Sequence, residues 1–142
     1  MAKVESDEAE GGAARAICAV DDIPDGGSNG FFEETRDGRL LYLAVRQGAR
    51  VFVYVNACPH TGMPLDFKPG QFLNAERTLI QCSTHGAEFR IEDGFCISGP
   101  CEGDRLIPVA SEIREGRVYV EPPKNAPKFG PGGIPGGLPG GA

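Results

Sequence analysis

Short apolar segments and polar turn pairs alternate along the chain, and no long helical stripe runs through it. Residues 51–55, Val-Phe-Val-Tyr-Val, are β-branched and aromatic, which suits a strand on a pleated, part-buried surface. Asp37-Gly38 divides a segment at 31–36 from one at 40–46, and Gln47-Gly48 divides the latter from 51–56. Further on, Asp93-Gly94 separates 87–91 from 95–98, and Glu115-Gly116 separates 112–114 from 117–120. The glycine of each pair supplies the positive φ that tight hairpins need. A first strand is expected at 16–20 and a short one at 78–81. Apolar positions never hold the helical period across about a dozen residues. The pattern predicts an all-β, antiparallel fold.

Composition narrows the folding region. Of the 142 residues, 1–14 are acidic and small and 122–142 are dominated by Gly and Pro. Neither stretch offers enough apolar surface to offset its ordering entropy, so both are expected to be disordered. Residues 15–121 remain as one domain, interrupted by loops at 57–70 and 82–86.

Charge and hydropathy exclude several classes. The net charge is −6, and about −5 of it belongs to 15–121. Such a surface does not suit counterion displacement from nucleic acid. No apolar run approaches the ~18–20 residues that span a bilayer, and the N-terminus lacks a basic-then-apolar signal. The expectation is a cytoplasmic protein with no membrane segment. Five cysteines without an export signal argue against a disulfide framework.

The chemistry lies where the two histidines fall. Cys58-Pro-His60 is followed, after 21 residues, by Cys82-Ser-Thr-His85, and the chain holds no other His. Thiolate and imidazole together select Zn, Cu or Fe–S centres. Structural zinc usually draws like ligands from one knuckle. Here each loop offers one Cys and one His, which suits a two-iron cluster with the thiolates on one iron and the imidazoles on the other. A zinc-stabilised or redox-sensing binding module is the competing reading.

With its two segments CPHTGMPLDF and CSTHGAEFRIEDG, the sequence resembles the Rieske [2Fe–2S] proteins. Gly86, Phe89, Asp93-Gly94 and Gly99-Pro100 extend the likeness, which covers about 15–121. The resemblance implies a Rieske-type antiparallel β-sandwich with a small cluster-binding subdomain. It also implies one [2Fe–2S] cluster held by Cys58, His60, Cys82 and His85, with a third loop at 98–102 covering it. Two thiolates leave an oxidised two-iron site neutral, so an electron enters it more easily than an all-Cys site. Rieske potentials accordingly run from about −150 to +300 mV, against about −400 mV for plant-type ferredoxins.

Within the family, the high-potential respiratory members carry a disulfide between the cluster loops and two hydroxyls near the cluster. The matching positions here are Met63 and Thr84, then Ala87 and Phe89, which cannot form the bridge or donate. A low potential follows. Both histidines being assigned, nothing remains for the mononuclear iron of an oxygenase. The resemblance therefore implies an electron-transfer component, not a catalyst alone. It would be a monomeric ferredoxin carrying electrons from a flavin-dependent reductase to a terminal oxygenase. An accessory subunit of a nitrite-reductase-type enzyme is the runner-up. Cys18 is expected in the core, Cys96 and Cys101 can approach each other across the covering loop, and Asp66, Glu88 and Glu92 are read as solvated surface groups.

Overall fold

The computed structural model describes residues 2–3, 14–36, 38–59, 62–66, 68, 70–82, 86–123 and 126–129. Among these residues ten strands form: β1 (Ala2–Lys3), β2 (Arg15–Ala19), β3 (Ser28–Thr35), β4 (Gly38–Gln47), β5 (Arg50–Val55), β6 (Leu79–Gln81), β7 (Glu88–Arg90), β8 (Cys96–Ser98), β9 (Ala110–Arg114) and β10 (Arg117–Glu121). A single 3₁₀ turn, Val20–Asp22, follows β2, and the described residues contain no α-helix. The all-β expectation holds. No helix among these residues is long and apolar enough to cross a membrane.

Three sheets result, ordered β1-β3-β4-β5, β2-β10-β9 and β6-β7-β8. All pairings are antiparallel except β1 with β3, where Ala2 lies opposite Phe31. That parallel pairing falls inside the N-terminal stretch expected to be disordered.

Residue alternation explains how the sheets stack. On β4, Tyr42 and Ala44 enter one apolar cluster, while Leu43 and Val45 enter another. On β5, Val53 and Val55 join the first and Tyr54 the second. Successive side chains on a strand point to opposite faces, so this hairpin is covered on both sides. The first cluster unites it with Ile17, Phe31, Val118 and Val120 of the two larger sheets. The second unites it with Ile80, Phe89 and Cys96 of the small sheet. The Tyr54 hydroxyl fastens that small sheet down by donating to the Ile91 carbonyl at 2.7 Å.

Part of the expected C-terminal tail is packed. Ala126 and Phe129 are buried, and Phe129 exchanges two backbone hydrogen bonds with Arg39, at 2.6 and 2.7 Å. One aromatic anchor in a Gly/Pro-rich stretch suffices, because the start of β4 offers it free ladder positions and an apolar seat.

Among the described residues one carboxylate is buried in the sandwich. Glu33 is 4% exposed and accepts from the Tyr42 hydroxyl at 2.8 Å and from Arg15 Nε at 2.7 Å. Burial, then the Glu33 charge, pushes the Tyr42 hydroxyl pKa well above its ordinary value, so Tyr42 remains a donor. Glu33→Ala takes away the acceptor of a buried hydroxyl and should cost about 1–3 kcal/mol. Urea unfolding at neutral pH measures this, and an unchanged midpoint would show that the pair contributes nothing.

Candidate metal centre

The first cysteine loop begins where β5 ends. Asn56 is fully buried, and its N–H donates to the Leu41 carbonyl at 2.8 Å. Its Oδ1 accepts from the Leu65 N–H at 2.8 Å, and its Nδ2 donates to Asp66 Oδ1 at 3.2 Å. Asp66 Oδ2 in turn accepts from the Gly70 N–H at 3.1 Å. The far side of the loop is thus tied to the residue that opens it. Ser28 adds a clamp from β3, donating to the Gly70 carbonyl at 2.8 Å and accepting from the Phe72 N–H at 3.2 Å.

The two cysteine loops close in the same way. The Cys58 N–H donates to the Met63 carbonyl at 2.8 Å, and the Gly62 N–H donates back to the Cys58 carbonyl at 2.7 Å. In the second loop the Cys82 N–H donates to the Ala87 carbonyl at 2.8 Å, and the Gly86 N–H to the Cys82 carbonyl at 2.9 Å. Each cysteine therefore bonds to the residues four and five places later. Gly62 and Gly86 occupy matching positions with φ of 77° and 73°, which a residue with a Cβ adopts only with strain. His60 and His85 lie between cysteine and glycine in each loop, outside the described residues.

A third loop leans on the second. Gly99, with φ of 101°, approaches so closely that a Cβ there would sit 2.7 Å from the Ala87 Cα. The segment folds on itself: Cys96 N–H donates to the Asp104 carbonyl at 2.8 Å, Gly103 N–H to the Cys96 carbonyl at 3.1 Å, and Asp104 N–H to the Cys101 carbonyl at 2.9 Å.

Cys58, Cys82, Cys96 and Cys101 all belong to the second apolar cluster, each at most 2% exposed. All five cysteines are free thiols. Cys18 belongs to the other core, where burial first, then the Asp22 charge, pushes its thiol up to about 12. Burial likewise raises Cys101 to about 12, followed by its contacts with Cys96 and Cys58. The thiol half of a mixed Cys/His iron site fits this arrangement. Two soft donors stand at the roots of equivalent loops, their backbone groups already satisfied and their surroundings apolar.

The sequence does not reveal what holds the first loop. Asp66, expected to be a solvated surface group, is half-buried and bonded to Asn56 and Gly70. Asn56 itself passes for the polar end of a strand. Its one signal is a polar residue directly after an apolar run and just before the Ala-Cys pair. Asn56→Ala removes the Oδ1 that accepts from the Leu65 amide and the Nδ2 that donates to Asp66, and should lower stability by about 1–3 kcal/mol. Thermal melts of the iron-free protein check this, and an unchanged Tm would refute the tether.

The sequence matches the family model described as "Rieske [2Fe-2S] domain" over residues 14–117. No curated protein matches it. Among solved structures, the ferredoxin of carbazole 1,9a-dioxygenase from Nocardioides aromaticivorans IC177 is 21% identical with a TM-score of 0.62, over 78% of this chain and 99% of that one. A ferredoxin from Sphingomonas yanoikuyae B1 is 24% identical with a TM-score of 0.62, over 78% and 100%. The terminal oxygenase of carbazole 1,9a-dioxygenase from Novosphingobium sp. KA1 is 16% identical with a TM-score of 0.64, over 84% of this chain but 32% of that one. These likenesses confirm the Rieske-type β fold. Since the family model spans most of the chain, the protein belongs to the Rieske [2Fe–2S] domain family, and a Rieske [2Fe–2S] cluster is its cofactor.

Proposed function

We propose that this chain is a one-electron carrier whose cluster is held by Cys58, His60, Cys82 and His85. The matched closure of the two cysteine loops carries the reading, since it presents one thiol from each loop into a shared apolar interior. When bound, the cluster supplies reversible uptake of a single electron. The chain's own residues do the rest. Cys58 and Cys82 bring two thiolate charges, and the neutral imidazoles of His60 and His85 complete the set. Leu65, Phe72 and Phe89 keep water from the sulfur side.

The partners proposed are a flavin-dependent reductase and a terminal oxygenase. Solved relatives named as a ferredoxin and an oxygenase of carbazole 1,9a-dioxygenase, and as a complex of the two, support the oxygenase half of that pairing. Met63 and Ile97, each 39% exposed, add apolar surface on the first cysteine loop and on β8. Exposed acids such as Glu92, Glu102 and Asp104 give the same subdomain a charge that steers it toward basic partner patches. The proposed working form is a cytoplasmic monomer whose folded unit is residues 15–121 with the 126–129 anchor.

His60→Ala and His85→Ala should each abolish the visible and paramagnetic signature of mixed ligation, while Cys18→Ser retains it. Normal spectra from both histidine variants would overturn the ligand set.

The proposed potential is low. Ala87 and Phe89 are buried and carry no hydroxyl to donate toward the cluster, and Met63 cannot form an inter-loop disulfide. Protein-film voltammetry should give a value in the lower part of the ~−150 to +300 mV span. A value above about +150 mV would contradict the argument.

A further inference from the structure

The proposed ligand set leaves Cys96 and Cys101 unused, although both are buried in the core that holds Cys58 and Cys82. Their sulfurs are in contact, 3.4 Å apart, at 0% and 2% exposure. Main-chain bonds fix where each residue stands. The Cys96 N–H donates to the Asp104 carbonyl, and the Cys96 carbonyl accepts from the Gly103 N–H. The Cys101 carbonyl accepts from the Asp104 N–H. Between the two cysteines run Ile97, Ser98, Gly99 and Pro100, all exposed, with Gly99 pressed against Ala87 at the end of the second cysteine loop.

We propose that Cys96 and Cys101 close reversibly into a disulfide under peroxide, giving the third loop a redox-sensitive staple. The proposal does not depend on which metal the neighbouring loops hold. Disulfide sulfurs stand about 2.05 Å apart, and modest rotation about the two Cα–Cβ bonds covers the remaining ~1.4 Å. The bridge closes a ring over residues 97–100, the stretch that leans on Ala87, so the state of the pair reaches the loop beside the candidate metal centre.

The two thiols divide the chemistry between them. Cys101 lies between exposed Pro100 and Glu102, whereas Cys96 sits in β8 with its S–H donated to the Ser98 carbonyl at 3.3 Å. The Cys101 sulfur attacks hydrogen peroxide, the O–O bond breaks, and a sulfenic acid and one water result. The Cys96 sulfur then attacks the Cys101 sulfur and expels the sulfenic oxygen as a second water. Two electrons pass from the sulfurs to the peroxide, and the two thiol protons leave in the waters. A dithiol reductant reverses the bridge by exchange. Burial slows the first step, so the pair answers sustained peroxide and not traces of it.

The bland alternative is that both thiols are small apolar fillers whose contact is packing alone. Peptide mapping separates the two. The metal-loaded protein is exposed to millimolar hydrogen peroxide and quenched with catalase, and its free thiols are then alkylated in denaturant. Iron and acid-labile sulfide are assayed before and after. The expected product has lost about 2 mass units per chain, carries a 96–101 linkage, keeps its metal and returns to the thiol form with dithiothreitol. Amide exchange at residues 97–99 should slow in the bridged form. Cys96→Ser, which lacks the resolving sulfur, should instead accumulate a sulfenic acid at Cys101 that dimedone traps.

The proposal is overturned if both thiols stay alkylatable, if Cys101 advances to sulfinic acid without a bridge, or if the linkage found joins Cys58 or Cys82. Unchanged exchange at 97–99 in the bridged protein would remove the staple. Failure of the cluster reading shows separately, as protein lacking iron and sulfide before any peroxide is added.

Discussion

The site depends on a backbone constraint at two cysteines. The N–H and carbonyl of Cys58, and those of Cys82, are all used in closing their own loops. With both polar groups engaged, the Cα–Cβ direction of each residue is fixed and its thiol enters the interior without leaving a buried backbone group unpaired. Metal-site geometry tolerates little error, so fixing a proposed ligand through its own main chain is more exact than relying on side-chain packing alone. The glycine four residues on is the cost, since the closure needs a positive φ there.

Everything beneath the loops holds those two roots in register. The β4–β5 hairpin is shared between two cores, so the loop that follows β5 starts from a strand packed on both faces. Tyr54 links that strand to the small sheet that carries the second loop, and Gly94, pressed against the same ring, brings the Asp93-Gly94 turn over it. Asn56 and Asp66 then join the two sides of the first loop. The subdomain that carries the cysteine loops is therefore an outgrowth of the central hairpin. The division into two cores also explains why Cys18, in the sandwich, is unrelated to the other four cysteines.

The parts legible in the sequence were those encoded locally. Turn glycines marked the hairpins, and strands appeared where expected apart from shifts of one to three residues at their ends. In the segment that the resemblance reads as a third loop, Gly99 touches Ala87. What escaped was encoded over distance. Nothing near residue 16 signals pairing with β10, and Asn56 gives no hint that its amide will meet Leu65 and Asp66. Phe129 was hidden for another reason, being a single anchor in a stretch whose composition predicts no packing.

The central claim is that the equivalent cysteine loops hold a two-iron cluster with mixed thiolate and imidazole ligation, and that it carries an electron. An electron paramagnetic resonance spectrum of the dithionite-reduced protein tests it most directly, with iron, sulfide and zinc assayed on the same sample. The account predicts two iron and two acid-labile sulfide per chain, and a rhombic signal whose average g lies below that of all-cysteine clusters. One zinc per chain with no sulfide and no signal would contradict it and make the loops a structural metal knuckle.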